Sequence, residues 1–472
     1  MPPILRNLRA LALARGATMV LQLVTAAYLA RTLAPERFGY LGFGLALLAY
    51  FGLLVNFGLN TLGTREVARV PERVVELAGA VLGLRLLLAL GAFVAYLAVL
   101  AALPGSALFR GTLAVLGLTL FGQALSVEWV YEGVQQMGTL ALRNVAAAVL
   151  HLVGVIGLVQ EPDDVAWAAA AAAGSVLAGN GWLLLAYRRT FGRLRVWASR
   201  AQWKGLFGPA LPFAASAFMV SVYYHLDQIM LGLLTTQAEV GLYTAAYRLL
   251  TAALVPALLV AQAFFPALAE ASGDVPAMRS QGAAFARTMF GLGLPAAVAG
   301  VGLAHPLLVL FAGEAFAPAS AAFALLMANA ALVYVNMAYG HPLLAWDRQR
   351  AYLSVVAAGA GLNAALNAFL IPRYGIEGAA AATLASEVVV GTGLVVLHRA
   401  VVGQVYGGAL LRAAAATALG VGGPLLACRA LAVPLALTLA LIALGYAAAA
   451  WAFGLVDGSL LRHLRAPAPA ER

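Results

Sequence analysis

Four charged residues fall inside long apolar runs: Arg85, Arg248, Asp227 and Glu387. Arginine keeps its proton, so each guanidinium needs a counter-ion or an anionic ligand. Its planar fork suits bidentate binding of phosphate. Arg248 lies toward the outer end of its run and reads either as a phosphate ligand or as the partner of Asp227 or Glu387. Arg85 lies toward the cytoplasmic end of its run and reads either as a ligand or as a side chain reaching to the interface. Asp227 is a candidate coupling-ion or proton site, or else the partner of Arg248. Glu128 and Glu132 flank Trp129 and read as interfacial carboxylates beside an aromatic belt residue.

Uncharged polar residues recur at helical spacing around these charges. Arg15, Thr18, Gln22 and Thr25 follow steps of three, four and three, and Asn56, Asn60 and Thr64 repeat every four. Thr119, Gln123 and Ser126 form a third stripe. A fourth segment carries Tyr223, Tyr224, His225, Asp227 and Gln228, and a fifth Thr244, Tyr247, Arg248 and Thr251. Asn329, Asn336, Asn363 and Asn367 precede the Thr383/Glu387 pair. Polar groups at membrane depth face a bundle interior or a wet cavity. Any single Asn or Thr reads as a helix–helix hydrogen bond. The matched set reads as the lining of a polar cavity.

The elements that must position these residues follow from composition. Of 472 residues, 63% are hydrophobic and 10% charged, and mean hydropathy is +0.91. Soluble domains carry about 25% charge, so a soluble enzyme, a disordered chain and a coiled coil are excluded. Cutting at charge clusters and Pro/Gly breaks gives about 14 segments of the ~20 residues a bilayer crossing needs. These include 39–62 and 111–130, each read as one continuous span. Lipid offers the backbone no partners, and runs without alternation are helices, not barrel strands. Placing the N-terminus in the cytoplasm puts 22 of the 29 basic residues on that side. This asymmetry supports both termini inside. It also accounts for most of the +10 net charge as topology, not nucleic-acid binding.

The polar stretch after the sixth span divides the chain. We expect an N-terminal six-helix lobe at 1–190, a basic cytoplasmic linker at 191–205 and a second lobe at 206–400. Two extra helices at 401–460 and a cytoplasmic tail at 461–472 would follow. Residues 35–48 echo 237–250, matching Gly39 with Gly241, as expected of parallel repeats. The fold class is thus all-α integral membrane, with two pseudo-symmetric bundles and an appended helix pair. The single cysteine, Cys428, excludes a disulfide framework. The chain has no phosphate-binding GxxxxGK[ST] loop and no HExxH metal motif. No metal or other cofactor is expected, and transport would draw on an ion, voltage or substrate gradient.

The residues Arg31, Pro35-Glu36, Phe38-Gly39, Asn56-Phe57-Gly58-Leu59 and Arg65 to Arg69 together resemble the start of the Wzx-type polysaccharide-unit flippases. The stretch Glu128-Trp129-Val130-Tyr131-Glu132-Gly133 is similar to a further segment of that family, with Val130 departing from an aromatic position. Asp227, Gly232, Val240-Gly241-Leu242-Tyr243 and Arg248 match its second-lobe pattern. The resemblance covers residues 5–400, is specific in the first seventy and is loose beyond 280. It implies the multidrug/oligosaccharidyl-lipid/polysaccharide exporter superfamily, with a V-shaped cavity opening to each side in turn. It further implies a polyprenyl-pyrophosphate-linked glycan as cargo.

On that resemblance, a basic mouth of Arg65, Arg69, Arg143 and the 188–204 loop would attract the pyrophosphate. Arg85 and Arg248, with Arg31, would bind it. Gln22, Asn56, Asn60, Tyr224 and Tyr247 would hydrogen-bond sugars. Asp227 and Glu387 would couple transport to Na⁺ or H⁺. Expected partners are membrane lipids, a polysaccharide polymerase and other assembly proteins, in the inner (cytoplasmic) membrane, without nucleic acid. Three alternatives stand: a cation-coupled multidrug antiporter, a peptidoglycan lipid-precursor flippase, and a non-transporting scaffold.

Overall fold

The structure is a computed structural model that describes residues 3–194, 196 and 200–455; at 3–13, 200, 201, 220 and 222–224 it describes the backbone alone. Among the described residues every regular element is helical. The first is α1 (Pro3–Asn56), followed by α2 (Leu59–Arg69) and α3 (Val74–Ala102). Three short helices come next: α4 (Ala107–Gly117), α5 (Thr119–Ala124) and α6 (Glu128–Gly133). Four longer ones follow: α7 (Met137–Leu158), α8 (Val165–Thr190), α9 (Arg200–Leu234) and α10 (Gln237–Glu270). The chain continues through α11 (Val275–Gly302), α12 (Ala304–Ala312), α13 (Ser320–Ala345) and α14 (Gln349–Val402). It closes on α15 (Gly407–Thr417), α16 (Gly423–Ala430) and α17 (Leu435–Ala452).

Eleven helical segments among the described residues are long and apolar enough to cross a membrane, against about 14 expected. The chain is a multi-pass membrane protein. Two segments are far longer than one crossing needs: Ala14–Asn56 has 43 residues and Gln349–Val402 has 54. A straight 43-residue helix would be about 65 Å long, twice the ~30 Å hydrocarbon core. Both are broken. Ala34 adopts φ 58°, ψ 169° just before Pro35, whose ring disfavours α geometry in the residue preceding it. Gly375 adopts φ 52°, ψ −128°, three residues after Pro372. A backbone with φ near +50° is open to glycine at little cost.

The runs read as single spans at 39–62 and 111–130 are also interrupted. The first ends at Asn56, where Phe57 (φ 43°) and Gly58 (φ 72°) turn the chain before α2. A Cβ on Gly58 would lie 2.6 Å from the Ala210 carbonyl oxygen, so α9 passes against bare backbone. The second divides into α4, α5 and α6. Hydropathy measures apolar content and is blind to such turns, which is why the sequence reading missed them.

The described chain forms two compact units, Met1–Ala245 and Ala246–Arg472. This differs from the expected division at 191–205. The reason is that α9 packs on α1, α2 and α3, so it joins the first unit. The core of that unit gathers Trp129, Val130 and Tyr131 of α6 with Leu183 and Tyr187 of α8. Trp129 is 1% exposed, so it is a core residue packed on Gly63 and not an interfacial belt residue.

Gly39 and Gly241, the matched positions of the internal echo, meet within the first unit. A Cβ on Gly39 would strike the Gln237 carbonyl and lie 3.0 Å from the Gly241 nitrogen. A Cβ on Gly241 would strike the Pro35 carbonyl and lie 2.9 Å from the Gly39 nitrogen. The contact is reciprocal: each glycine meets the carbonyl four residues before the other.

The second unit holds its core with buried aromatics, among them Phe285, Phe290, Tyr334, Tyr339 and Trp346. Their polar atoms are satisfied by backbone: Tyr334 Oη donates to Ala253 O at 2.8 Å and Trp346 Nε1 to Leu268 O at 2.9 Å. His398 is fully buried and links Tyr339 O (3.3 Å, through Nδ1) to Tyr406 Oη (3.0 Å, through Nε2). A carbonyl only accepts, so Nδ1 carries the proton and Nε2 accepts from Tyr406. Burial, reinforced by neighbouring Tyr339, holds the Tyr406 hydroxyl above its ordinary pKa, so it stays a donor.

Candidate functional site

Arg85 points into the first unit and not to an interface: it is 1% exposed. Its Nη2 donates to Asn56 Oδ1 (2.6 Å) and Asn60 Oδ1 (2.5 Å), and its Nη1 to Ser126 O (3.0 Å). Each acceptor is supplied by a helix break. Asn56 ends α1 and Asn60 lies in the first turn of α2, so the turn at Phe57-Gly58 folds both amides onto one guanidinium. Asn56 Oδ1 also accepts the Asn60 amide N–H at 3.1 Å, which fixes the turn. Ser126 lies between α5 and α6, where its carbonyl is outside any helical ladder and is available to Arg85.

A second arginine lines the same space. Arg143, on α7, donates through Nη1 to Asn144 Oδ1 at 2.7 Å and pairs with Glu128 Oε1 at 2.5 Å. Its Nη2 donates to Asn180 Oδ1 on α8. Asn180 is 2% exposed and is held by its own Nδ2 donating to Gly122 O at 2.8 Å. Gly179 leaves room for Arg143 to lie across α8, since a Cβ there would sit 3.3 Å from Nε.

Together these side chains line a half-open cavity of about 380 Å³, with Gly52 and Gln123. That volume corresponds to about a dozen waters at ~30 Å³ each. The charged lining is two guanidinium groups against one carboxylate, so the cavity carries a net positive charge inside a hydrophobic unit. Low surrounding polarity strengthens such a field. Such a lining would favour an anion, with the side-chain amides of Asn180 and Gln123 close by.

Four of the ten expected substrate-binding residues therefore share one cavity: Arg85, Arg143, Asn56 and Asn60. The others lie elsewhere. Gln22 lines a separate cavity of about 120 Å³ with Arg15, Thr18 and Asn144. Arg65 pairs with Glu66 at 3.1 Å and lies over the Phe213 ring at 5.5 Å. Arg31 is exposed on α1. Tyr247 is half-buried and Arg248 exposed on α10, in the second unit. The side chain of Tyr224 lies outside the described residues.

The two expected ion-coupling carboxylates are both buried, in different units. Asp227 accepts from Tyr243 Oη at 3.0 Å. Glu387 Oε2 accepts from Asn336 Nδ2 at 2.5 Å, next to the Asn363–Ser386 and Asn367–Asn363 hydrogen bonds. No ion pair joins Arg248 to Glu387 among the described residues. No cluster of three or more His, Cys, Asp or Glu side chains suited to a metal occurs among them either.

Two lining residues were not foreseen as site residues. Glu128 was read as interfacial, yet it stands in the cavity beside Arg143. Asn180 carries a signal visible in the sequence, a lone Asn in the Ala-rich run of α8. Outside the cavity, Arg37 on α1 bridges Asp163 (3.1 Å) and Glu36 (2.9 Å) while donating to Tyr40 Oη.

Residues 4–272 match the family described as polysaccharide biosynthesis protein. The chain belongs to that family. Every residue lining the 380 Å³ cavity falls within the matched stretch of this polysaccharide biosynthesis protein. Two relatives carry the name "Putative O-antigen transporter". One, from Escherichia coli (strain K12), is 39% identical over 67 residues, covering 14% of this chain and 16% of the relative. The other, from Shigella dysenteriae, is 24% identical over 271 residues, covering 57% of this chain and 68% of the relative. The chain thus matches less than a fifth of the first relative's length.

Solved structures with the same fold include a lipid II flippase, MurJ, in an inward closed conformation. It aligns with a TM-score of 0.74 and 12% identity over 97% of this chain and 99% of its own. An inward-facing multidrug resistance MATE family transporter of the MOP superfamily aligns at 0.67 and 18% identity, over 82% and 94%. The polysaccharide biosynthesis chain shares the helical transporter architecture of both.

Proposed function

We propose that this chain moves polyprenyl-pyrophosphate-linked oligosaccharide units from the cytoplasmic to the outer leaflet by alternating access, supplying surface polysaccharide assembly. The observation that carries the reading is the Arg85–Arg143 cavity, a positive, amide-lined pocket in a membrane protein of the polysaccharide biosynthesis family. Arg85 and Arg143 hold the diphosphate; Asn56, Asn60 and Gln123 meet the first sugar; the prenyl tail stays in lipid. Arg31, Arg65, Gln22, Tyr224, Tyr247 and Arg248 contact the headgroup along its route. The relatives' name, O-antigen transporter, fits this cargo.

In the same reading the protein resides in the inner membrane with both termini cytoplasmic, and moves its cargo without chemical change. It crosses the bilayer fourteen times, with α1 and α14 each crossing twice and α9 once. Asp227 and Glu387 couple the cycle to Na⁺ or H⁺, and a polymerase takes up the delivered units. A cation-coupled drug antiporter of the same fold calls for an acidic cavity, and two arginines against one carboxylate run against it.

The test is deletion in the native host, with lipid-linked glycans extracted and their leaflet probed by an outer-face labelling reagent. The reading expects inner-leaflet accumulation and loss of surface polysaccharide, restored by the wild-type chain and not by Arg85→Ala. Unchanged glycan lipids with new sensitivity to cationic drugs would overturn it.

A further inference from the structure

The two arginines of the cavity are compensated differently. Arg85 spends its Nη donors on neutral acceptors: two amide oxygens and a backbone carbonyl. Arg143 faces a full negative charge, the Glu128 carboxylate at 2.5 Å. A carboxylate presents two oxygens to a guanidinium much as a phosphate does. Glu128 therefore occupies the place that the proposed cargo's phosphate would take.

The two members of this pair are not held alike. Arg143 is anchored by Asn144 and by Asn180, itself tied to the Gly122 carbonyl. Its side chain is 13% exposed, against 31% for Glu128. The Glu128 backbone N–H has only a 3.4 Å contact with Ser126 Oγ, at the start of a six-residue helix that follows a break. The carboxylate can swing away from Arg143 by side-chain rotation while the guanidinium stays fixed. Meanwhile Arg85 Nε and Arg143 Nε are both buried without a partner, so neither guanidinium is saturated by the protein.

We propose that Glu128 is a resident stand-in anion. It neutralises Arg143 while the cavity is empty, yields to a diphosphate on loading and returns on release. Taking the carboxylate away from an established ion pair is strongly unfavourable. Without Glu128 the empty cavity would hold both guanidinium charges uncompensated while the protein changes conformation. The exchange removes that barrier and helps eject the cargo. This inference rests on the flippase reading of the same cavity.

The two readings fail separately in one experiment. Farnesyl diphosphate binding to the full-length protein in nanodiscs is measured by calorimetry, with inorganic pyrophosphate as a second probe, for wild type, E128Q, E128D, R143Q and the double variant E128Q/R143Q. The stand-in predicts that E128Q binds farnesyl diphosphate about tenfold tighter, a difference of about 1.4 kcal/mol, yet transports more slowly because release is unaided. E128D keeps the charge on a shorter arm and should fall between wild type and E128Q. This variant carries the test if E128Q does not fold. R143Q should bind about tenfold more weakly, and in its background E128Q should bring no gain. A structural ion pair gives the opposite sign, with E128Q and E128D binding equally or more weakly. That result, with wild type still binding, overturns the stand-in and leaves the cavity as the cargo site. Absence of diphosphate binding in wild type and E128Q alike overturns both.

Discussion

Replacing Arg85 with alanine tests the centre of the argument. The substitution removes three hydrogen bonds from a charged donor, to Asn56, Asn60 and Ser126, at 2.6, 2.5 and 3.0 Å. Bonds of this kind contribute roughly 1.5–3 kcal/mol each, or about 4–9 kcal/mol gross. Two effects offset the loss. The variant no longer buries a guanidinium, whose desolvation costs several kcal/mol. Water from the adjoining cavity can also reach the freed amide oxygens. The net destabilisation should be about 2–4 kcal/mol, within the range for breaking a buried network. It is read as a fall in the unfolding midpoint of the purified protein in detergent. A double-mutant cycle with Asn60→Ala sharpens the test, because residues in one network couple by about 0.5–3 kcal/mol. We expect a coupling of about 1–2 kcal/mol, and an activity loss in Arg85→Lys larger than its stability loss, since lysine keeps the charge without the fork. Additive single effects together with normal glycan export by Arg85→Ala would refute the clamp.

Three further outcomes follow from the same geometry. Gly58→Ala forces a Cβ toward the Ala210 carbonyl at φ 72° and should cost ~2 kcal/mol or more, seen as reduced yield of folded protein. His398→Phe strands the Tyr406 hydroxyl, costing about 1–3 kcal/mol, while glycan export per folded molecule stays unchanged. Arg37→Ala breaks a pair whose side chains are 26% and 76% exposed, and should change stability by only ~0–1 kcal/mol, measured by thermal unfolding.

The all-helical membrane architecture was legible because hydropathy and charge asymmetry are properties of whole segments. The Asn56/Asn60 pairing was legible from its spacing of four, although the structure achieves it differently. The helix stops between them, and a left-handed turn, not a helical face, brings both amides to Arg85. Glu128 was misplaced because the break between α5 and α6 contains no proline and no charge cluster. Its residues, Leu125 to Val127, read as continuous apolar helix. The same break turns Trp129 into the core and frees the Ser126 carbonyl. Arg248 and Arg85 looked alike in sequence, both being lone arginines in apolar runs. Only tertiary packing shows which of them is clamped by three partners.

The meeting of Gly39 with Gly241 ties together two positions far apart in the chain. Each presses on the backbone that carries the other. Neither can acquire a side chain unless its counterpart's helix moves, so the two positions are free to change only together with the spacing between their segments.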